Sequence, residues 1–223
     1  MAKVTLENLN KIFLSKIGKD VKAVNDFNLL LEDGEILALL GSSGCGKTTT
    51  LRMIAGFETA TSGQIKIGER IVNDLKPADR NVAMAFEGYA LYPPLTVKDN
   101  IAFSLMREKI SKDKVDSKVM EVAELLEITD ILERYPPSIS GGQQQRVSLA
   151  RALVRDSDAL LLDEPMSQLE PQLRAVLRAR VKDYIQHNNK TVIFVTHDQT
   201  EAVALADKIA VMENGDLKQL ASP

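Results

Sequence analysis

A doubly wound α/β fold with a mainly parallel sheet is the architecture this sequence predicts, and three observations predict it. Apolar runs at residues 35–40, 159–162 and 191–195 are continuous rather than alternating, the pattern of strands buried on both faces of a parallel sheet. Segments with the three- and four-residue apolar spacing of helices alternate with them. Each run then delivers polar residues at its C-terminal end, namely Gly41-Ser42, Asp163-Glu164 and Thr196-His197-Asp198, where open α/β sheets place their ligands.

In chain order, residues 3–9 and 21–31 read as strands. The second alternates through Phe27, Leu29 and Leu31 and ends at the turn Glu32-Asp33-Gly34, so an antiparallel N-terminal β part is expected. Strand 35–40 runs straight into a glycine-rich stretch, and helical patterns follow at 48–55, 112–126, 142–155, 171–187 and 199–206. Within the third of these, at 142–155, Val147, Ala150, Leu153 and Val154 share one helix face. The section 97–137 lacks buried strand runs and reads as a helical subdomain inserted into the α/β core. Neither an internal repeat nor a low-complexity tract interrupts this order.

Composition narrows the function classes. The chain has 223 residues, 44% hydrophobic and 26% charged, with a formal net charge of -3, which is ordinary globular composition, and its length allows either one large domain or one domain carrying a smaller subdomain. That balance gives no basic footprint for nucleic acid. No apolar run approaches the roughly 18 residues needed to span a bilayer. The start, Met1-Ala2-Lys3-Val4-Thr5-Leu6-Glu7, has polar residues where a signal peptide is apolar, so a cytoplasmic location is expected. Cys45 is the only cysteine, which excludes an internal disulfide, and with only His187 and His197 besides it a structural zinc site is not expected.

Three motifs carry the chemistry. Gly41-Ser42-Ser43-Gly44-Cys45-Gly46-Lys47-Thr48 matches GxxxxGK[ST] between a buried strand and a helix. Its glycines let successive N–H groups face one anion at a helix N-terminus. Lys47 would neutralise the β- and γ-phosphates and the Thr48 hydroxyl would be a Mg²⁺ ligand. Cys45 reads as a small filler in the loop, with a redox role as its alternative. Next, Asp163 and Glu164 stand at the tip of a buried strand, where uncompensated charge is costly unless it meets a cation or solvent. Asp163 would hold the metal directly or through water, and Glu164 would polarise a water aimed at the γ-phosphate. Finally, Ser140-Gly141-Gly142-Gln143 opens a helix with an N-cap and two glycines that expose backbone N–H groups, a second anion nest with no local ligand to serve.

The order of phosphate loop, Ser-Gly-Gly-Gln, Leu-Leu-Leu-Asp-Glu-Pro and Thr-His-Asp resembles the ATP-binding subunits of ABC transporters across nearly the whole chain. The resemblance implies a P-loop NTPase core with a mainly parallel sheet, an N-terminal antiparallel β subdomain and an inserted α-helical subdomain at about 87–139. It implies ATP and Mg²⁺ bound between two cassettes paired head to tail, each nucleotide lying between one phosphate loop, through Thr49, and the other chain's Ser140 to Gln143. Phe13, in an Asn-x-x-Lys-x-Phe setting, resembles the aromatic that stacks on adenine, with an ordinary core Phe as its alternative. His197 resembles the switch histidine at the γ-phosphate, which together with Lys47 and Glu164 makes the catalytic set. His187 reads as a solvated helix end. Ala90-Leu91-Tyr92-Pro93-Pro94-Leu95-Thr96-Val97, Asn100-Ile101-Ala102-Phe103 and Leu51-Arg52-Met53-Ile54-Ala55-Gly56 resemble the carbohydrate-type importers. This implies membrane permease partners, a place on the inner face of the cell membrane, and a sugar, polyol or sugar or glycerol phosphate as the solute.

The sequence also departs from the family pattern. Glu87 stands where the family has a Gln that binds Mg²⁺, and Ser167-Gln168-Leu169-Glu170 stands where it has Ser-x-Leu-Asp. A carboxylate can still ligate Mg²⁺, so Thr48, Glu87 and Asp163 form the expected metal set. The two departures fit either an ordinary homodimer or a heterodimer with a more conventional paralogue. Rival readings are a weakly catalytic ATP-binding scaffold and a soluble ABC-type ATPase acting on nucleic acid or ribosomes. The family's C-terminal β-rich regulatory domain is expected to be absent from a chain that stops at Leu220-Ala221-Ser222-Pro223, a turn signal where a linker would begin.

Overall fold

A computed structural model describes residues 2–15, 18–106 and 110–223. The first residue, and the part of the expected helical subdomain at 107–109, lie outside the described residues. Two sheets form the core. The first is antiparallel, with order β2-β1-β4-β5, from β1 (Val4–Phe13), β2 (Val21–Leu31), β4 (Ser62–Ile67) and β5 (Arg70–Ile71). The second has order β10-β9-β3-β8-β7-β6, from β3 (Ile36–Leu40), β6 (Val82–Ala85), β7 (Ala159–Asp163), β8 (Val192–Thr196), β9 (Lys208–Glu213) and β10 (Asp216–Ala221). Only its β9–β10 pair is antiparallel.

Period-two alternation explains why the central strands look uniformly apolar. Leu37, Leu39, Leu161, Ile193 and Val195 point to the layer shared with the antiparallel sheet, while Ile36, Ala38, Leu160, Leu162 and Phe194 point to the helical layer. Helix α1 (Lys47–Ala55) is buried in the first layer through Leu51, Met53, Ile54 and Ala55. The second layer is built by α2 (Val97–Phe103), α3 (Lys112–Leu125), α4 (Gly141–Leu153), α5 (Pro171–His187) and α6 (Gln199–Leu205). On α4 the expected face of Val147, Ala150 and Leu153 is fully buried.

The parallel register aligns the strand ends. Leu40 pairs with Thr196, Val195 with Asp163, and Leu162 with Ala85, so the segments that follow all leave from one edge of the sheet. Strands β4, β5, β6, β9 and β10 go beyond the sequence expectation. Residues 220–221, read as a turn leading into a linker, instead continue β10, with Ala221 paired to Ile209 across the Asn214-Gly215 hairpin. The Asn-Gly turn, with φ of 52° and 87°, is the local signal that folds this segment back.

Candidate active site

After β3 the backbone turns at Gly41 and enters α1 at Lys47. A Cβ on Gly41 would lie 2.3 Å from the Met212 carbonyl oxygen and 2.7 Å from the Cys45 Sγ. The buried thiol is therefore packed against the loop's own backbone, as a filler should be. Ser42, Ser43 and Gly44 are exposed, and Thr49 is half-buried in the first turn of the helix. Lys47 is buried, and its Nζ donates to the carbonyls of Gly41 at 2.8 Å and Ser42 at 2.9 Å. Among the described residues no carboxylate lies within ion-pair distance of it. A buried cation held by two carbonyl dipoles and the weak acceptor Cys45 Sγ, at 3.8 Å, suits an anion, because a phosphate would satisfy it better than these neutral acceptors do.

Two strands away, the Thr48 hydroxyl donates to Asp163 Oδ1 at 2.9 Å. Asp163 is 2% exposed, and burial, with the nearby Glu87 and Glu164 carboxylates, pushes its carboxyl above the ordinary value. Thr48, Asp163 and Glu87 are thus drawn together: the first two touch, and the exposed Glu87 acts on Asp163 through its field. Among the described residues no group of three His, Cys, Asp or Glu is close enough to hold a metal ion alone. The hydroxyl and carboxylate oxygens form a hard donor pair of the kind Mg²⁺ uses when phosphate oxygens and water complete its octahedron.

Glu164 follows with φ of 49°, an unusual conformation for a residue with a side chain. The surroundings fix it there. Its N–H donates to the Val195 carbonyl at 3.1 Å, and its carbonyl accepts from Gln145 Nε2 at 2.9 Å and Ser167 Oγ at 3.2 Å. The side chain meets His197 from the tip of β8, whose Nδ1 lies 3.0 Å and 2.9 Å from the two carboxylate oxygens. The carboxylate accepts, so Nδ1 carries the proton. Bonding to Glu164 and its charge raise the His197 pKa above the ordinary value, against smaller opposing effects of partial burial and then of Lys47. The pair's contribution is complete below the unfolded value and is lost as pH rises through the raised folded value. With two histidines in the chain, imidazole NMR should resolve His197 with a midpoint above 6.5 that falls in Glu164→Gln. An unmoved midpoint would mean that the pair does not form in solution.

Ser140 caps α4 in a capping box: its Oγ accepts from Gln143 N–H at 3.3 Å and its N–H donates to Gln143 Oε1 at 2.9 Å. Gln143 is therefore used within the cap, leaving the Gly141 and Gly142 N–H groups as the donors without an intrahelical partner. No hydrogen bond or ion pair among the described residues joins 140–143 to loop 41–48 of the same chain. Phe13 ends β1 at 40% exposure with Lys11 Nζ 4.7 Å from its ring centre, an exposed platform rather than a core residue. His187 ends α5 in solvent, as expected. Sequence reasoning missed Gln145, which is buried and grips both sides of the turn through Glu164 and the Gln168 N–H at 2.9 Å. It also missed Arg151, whose guanidinium donates to the carbonyls of Tyr89 and Ala90. Only the helical register, two residues after Gln143 for the first, hinted at the inward direction.

The family model described as "ABC transporter" matches residues 24–167. Among curated proteins, the chain is similar to the trehalose/maltose import ATP-binding protein MalK of Thermococcus litoralis, 49% identical over 229 residues, covering 100% of this chain and 60% of that protein. It is 45% identical to the sn-glycerol-3-phosphate import ATP-binding protein UgpC of Ruegeria pomeroyi, over 100% of this chain and 62% of that one. The xylose/arabinose import ATP-binding protein XacK of Haloferax volcanii is 43% identical, over 100% and 58%. The chain thus spans about three-fifths of the length of the curated relatives it matches. Among solved structures, a dimeric post-hydrolysis ATP-binding cassette bound to ADP and phosphate superposes with a TM-score of 0.90 at 27% identity, covering 98% of each chain. A phosphate loop, an acid pair and a histidine aligned by one parallel sheet, with a family match over most of the chain, lead to one conclusion: the chain belongs to the ABC transporter family, as one of its nucleotide-binding cassettes.

Proposed function

We propose that this chain binds ATP with Mg²⁺ and hydrolyses it as one of two paired cassettes, powering import of a sugar, a polyol or a sugar or glycerol phosphate. The observation that carries the reading is the Glu164–His197 pair, set at the same sheet edge as the Thr48–Asp163 contact and the Lys47 loop. The relatives' names, all import ATP-binding proteins, point to the solute class.

Lys47 would exchange its two carbonyl acceptors for the β- and γ-phosphates. Phe13 would stack on the adenine. When bound, Mg²⁺ would supply positive charge at the phosphate oxygens, held by Thr48 and Asp163 with Glu87 beside them. Glu164 would accept the proton of the attacking water, and His197, fixed by Glu164, would contact the γ-phosphate. The remaining side of the phosphate would face Ser140, Gly141 and Gly142 of a second cassette, so ATP would bind the closed pair more tightly than the single chain and bias the pair toward closure.

A groove of about 950 Å³, lined by Phe57, Phe86, Tyr92, Phe103, Met106 and Arg151 among others, lies between the sheet edge at β6 and the helices of the 87–139 section. Four of these are large hydrophobic residues at least 40% exposed, which suits a docked segment of an integral-membrane permease. Among the described residues no helix is long and apolar enough to cross a membrane, so attachment at the inner face through this groove is the proposed arrangement.

A second reading is favoured by Glu87 and by Glu170, which sits exposed at the N-cap of α5 without capping it. In it, this chain pairs with a different cassette and its two sites are unequal. ATP turnover against the chain's own concentration, at saturating Mg-ATP, tests both. A specific rate that rises with concentration is expected for a working pair of identical chains. Intact binding with no turnover at any concentration would favour the unequal pair, and absence of Mg-ATP binding would overturn both readings.

A further inference from the structure

We propose that Arg151 is a positioning residue for the metal site, its guanidinium holding the strained Tyr89-Ala90 backbone that fixes where Glu87 stands. The inference rests on the reading of Thr48, Asp163 and Glu87 as the Mg²⁺ set.

Glu87 lies in a short connection whose two ends are fixed differently. On one side β6 is locked to β7 by parallel pairing, Ala85 opposite Leu162, one residue before Asp163. On the other side stand Tyr89 and Ala90, with φ of 59° and 46°. Two successive side-chain-bearing residues in the left-handed region form a conformation that the sequence itself disfavours, since neither is Gly, Asn or Asp. The local turn bonds, Tyr89 N–H to the Phe86 carbonyl at 3.0 Å and Ala90 N–H to the Gly88 carbonyl at 2.7 Å, close the loop and leave the 89 and 90 carbonyls facing α4.

Arg151 meets both carbonyls, donating at 3.0 Å to Tyr89 and 2.7 Å to Ala90, so one planar fork grips two consecutive peptide groups. Its guanidinium carbon also lies 5.6 Å from the Tyr92 ring centre. No carboxylate among the described residues lies within ion-pair distance of Arg151, and burial lowers its pKa. A half-buried cation whose partners among the described residues are these two carbonyls and one ring has its place in the structure because of that loop. The same α4 begins at Ser140-Gly141-Gly142, and the Tyr89 hydroxyl sits 3.5 Å from the position of a Cβ on Gly141. The loop that carries Glu87 is thus referenced at both ends of one helix.

The consequence is specific. Without the fork, Tyr89 and Ala90 relax to ordinary backbone angles and Glu87 leaves the neighbourhood of Asp163. The test is the Mg²⁺ concentration needed for binding of a fluorescent ATP analogue to the full chain, read alongside binding without Mg²⁺ and the thermal midpoint. Arg151→Ala is expected to raise the Mg²⁺ midpoint about tenfold, the usual effect of losing a group that orients a metal ligand, with metal-free binding unchanged. Ala90→Gly, which takes the left-handed angle freely, is expected to restore most of that loss in the double variant. Because Arg151→Ala alone could fail to fold, Ala90→Val serves as an independent probe. The residue is exposed, and a β-branched side chain there should raise the midpoint with Arg151 intact. A folded Arg151→Ala or Ala90→Val chain with the wild-type midpoint, or no recovery from Ala90→Gly, overturns the inference alone. A wild-type chain whose nucleotide binding ignores Mg²⁺ overturns the metal-site reading and this inference with it.

Discussion

Glu164→Gln should lower ATP turnover by on the order of 100- to 10,000-fold, the usual share of a positioned general base, while Mg-ATP binding survives. The geometry separates the two effects. Binding is assigned to Lys47, Thr48 and Asp163, none of which is held in place by the Glu164 side chain. The backbone of residue 164 is fixed from outside, by the Val195 carbonyl, Gln145 and Ser167, so an isosteric amide can keep the φ of 49°. What the amide cannot do is take a proton or hold His197 by charge. Two functions are therefore lost together: the acceptor for the attacking water and the orientation of the imidazole. Single-turnover kinetics on the paired cassettes would measure the chemical step. Size-exclusion chromatography with ATP should show the variant trapped as a pair, since the ligand that joins the cassettes is no longer removed. A rate within tenfold of wild type would place the base on another residue.

How much of this was legible in the sequence depends on the length scale of the signal. The phosphate loop, the acid pair and the Thr-His-Asp segment each follow a buried apolar run, and parallel register alone brings those ends to one edge. The α4 start was legible because capping chemistry is local. Strand β6 was not, because its four residues carry no periodicity that separates them from a loop. Strands β9 and β10 were missed although Asn214-Gly215 marks their hairpin, because Lys208, Asp216, Lys218 and Gln219 break the apolar pattern on a sheet edge. Gln145 and Arg151 are the instructive omissions. Each is a polar residue inside a helical pattern for which sequence reading offered no role, and each is used by backbone carbonyls more than five residues away in the chain. Arg80 is a third case, buried and donating to the Met53 and Ile54 carbonyls at the end of α1. Groups of this kind satisfy acceptors that only the folded backbone creates, so no local pattern announces them.

Gly46→Ala should abolish nucleotide binding and lower the thermal midpoint far more than Gly44→Ala in the same loop. Both glycines have positive φ, +106° and +79°, so both substitutions bear a left-handed backbone cost of roughly 1–2 kcal/mol. Their surroundings differ. A Cβ at position 44 meets nothing within 4 Å, whereas at position 46 it would lie 2.2 Å from the Ala23 carbonyl oxygen on β2. That oxygen belongs to backbone in a paired strand of the antiparallel sheet, so it cannot swing aside as a side chain would. The substitution must therefore push α1 off β2 or unwind its first turn. Either movement displaces Lys47 from the Gly41 and Ser42 carbonyls and Thr48 from Asp163, because both side chains start on the two residues that follow. Thermal unfolding of the ligand-free chains measures the steric term by itself, and ATP-analogue binding then measures what the displaced loop can still hold. Equal midpoints for the two variants would mean that β2 yields to the loop, and that the Gly46 contact is not what sets the phosphate site against the antiparallel sheet.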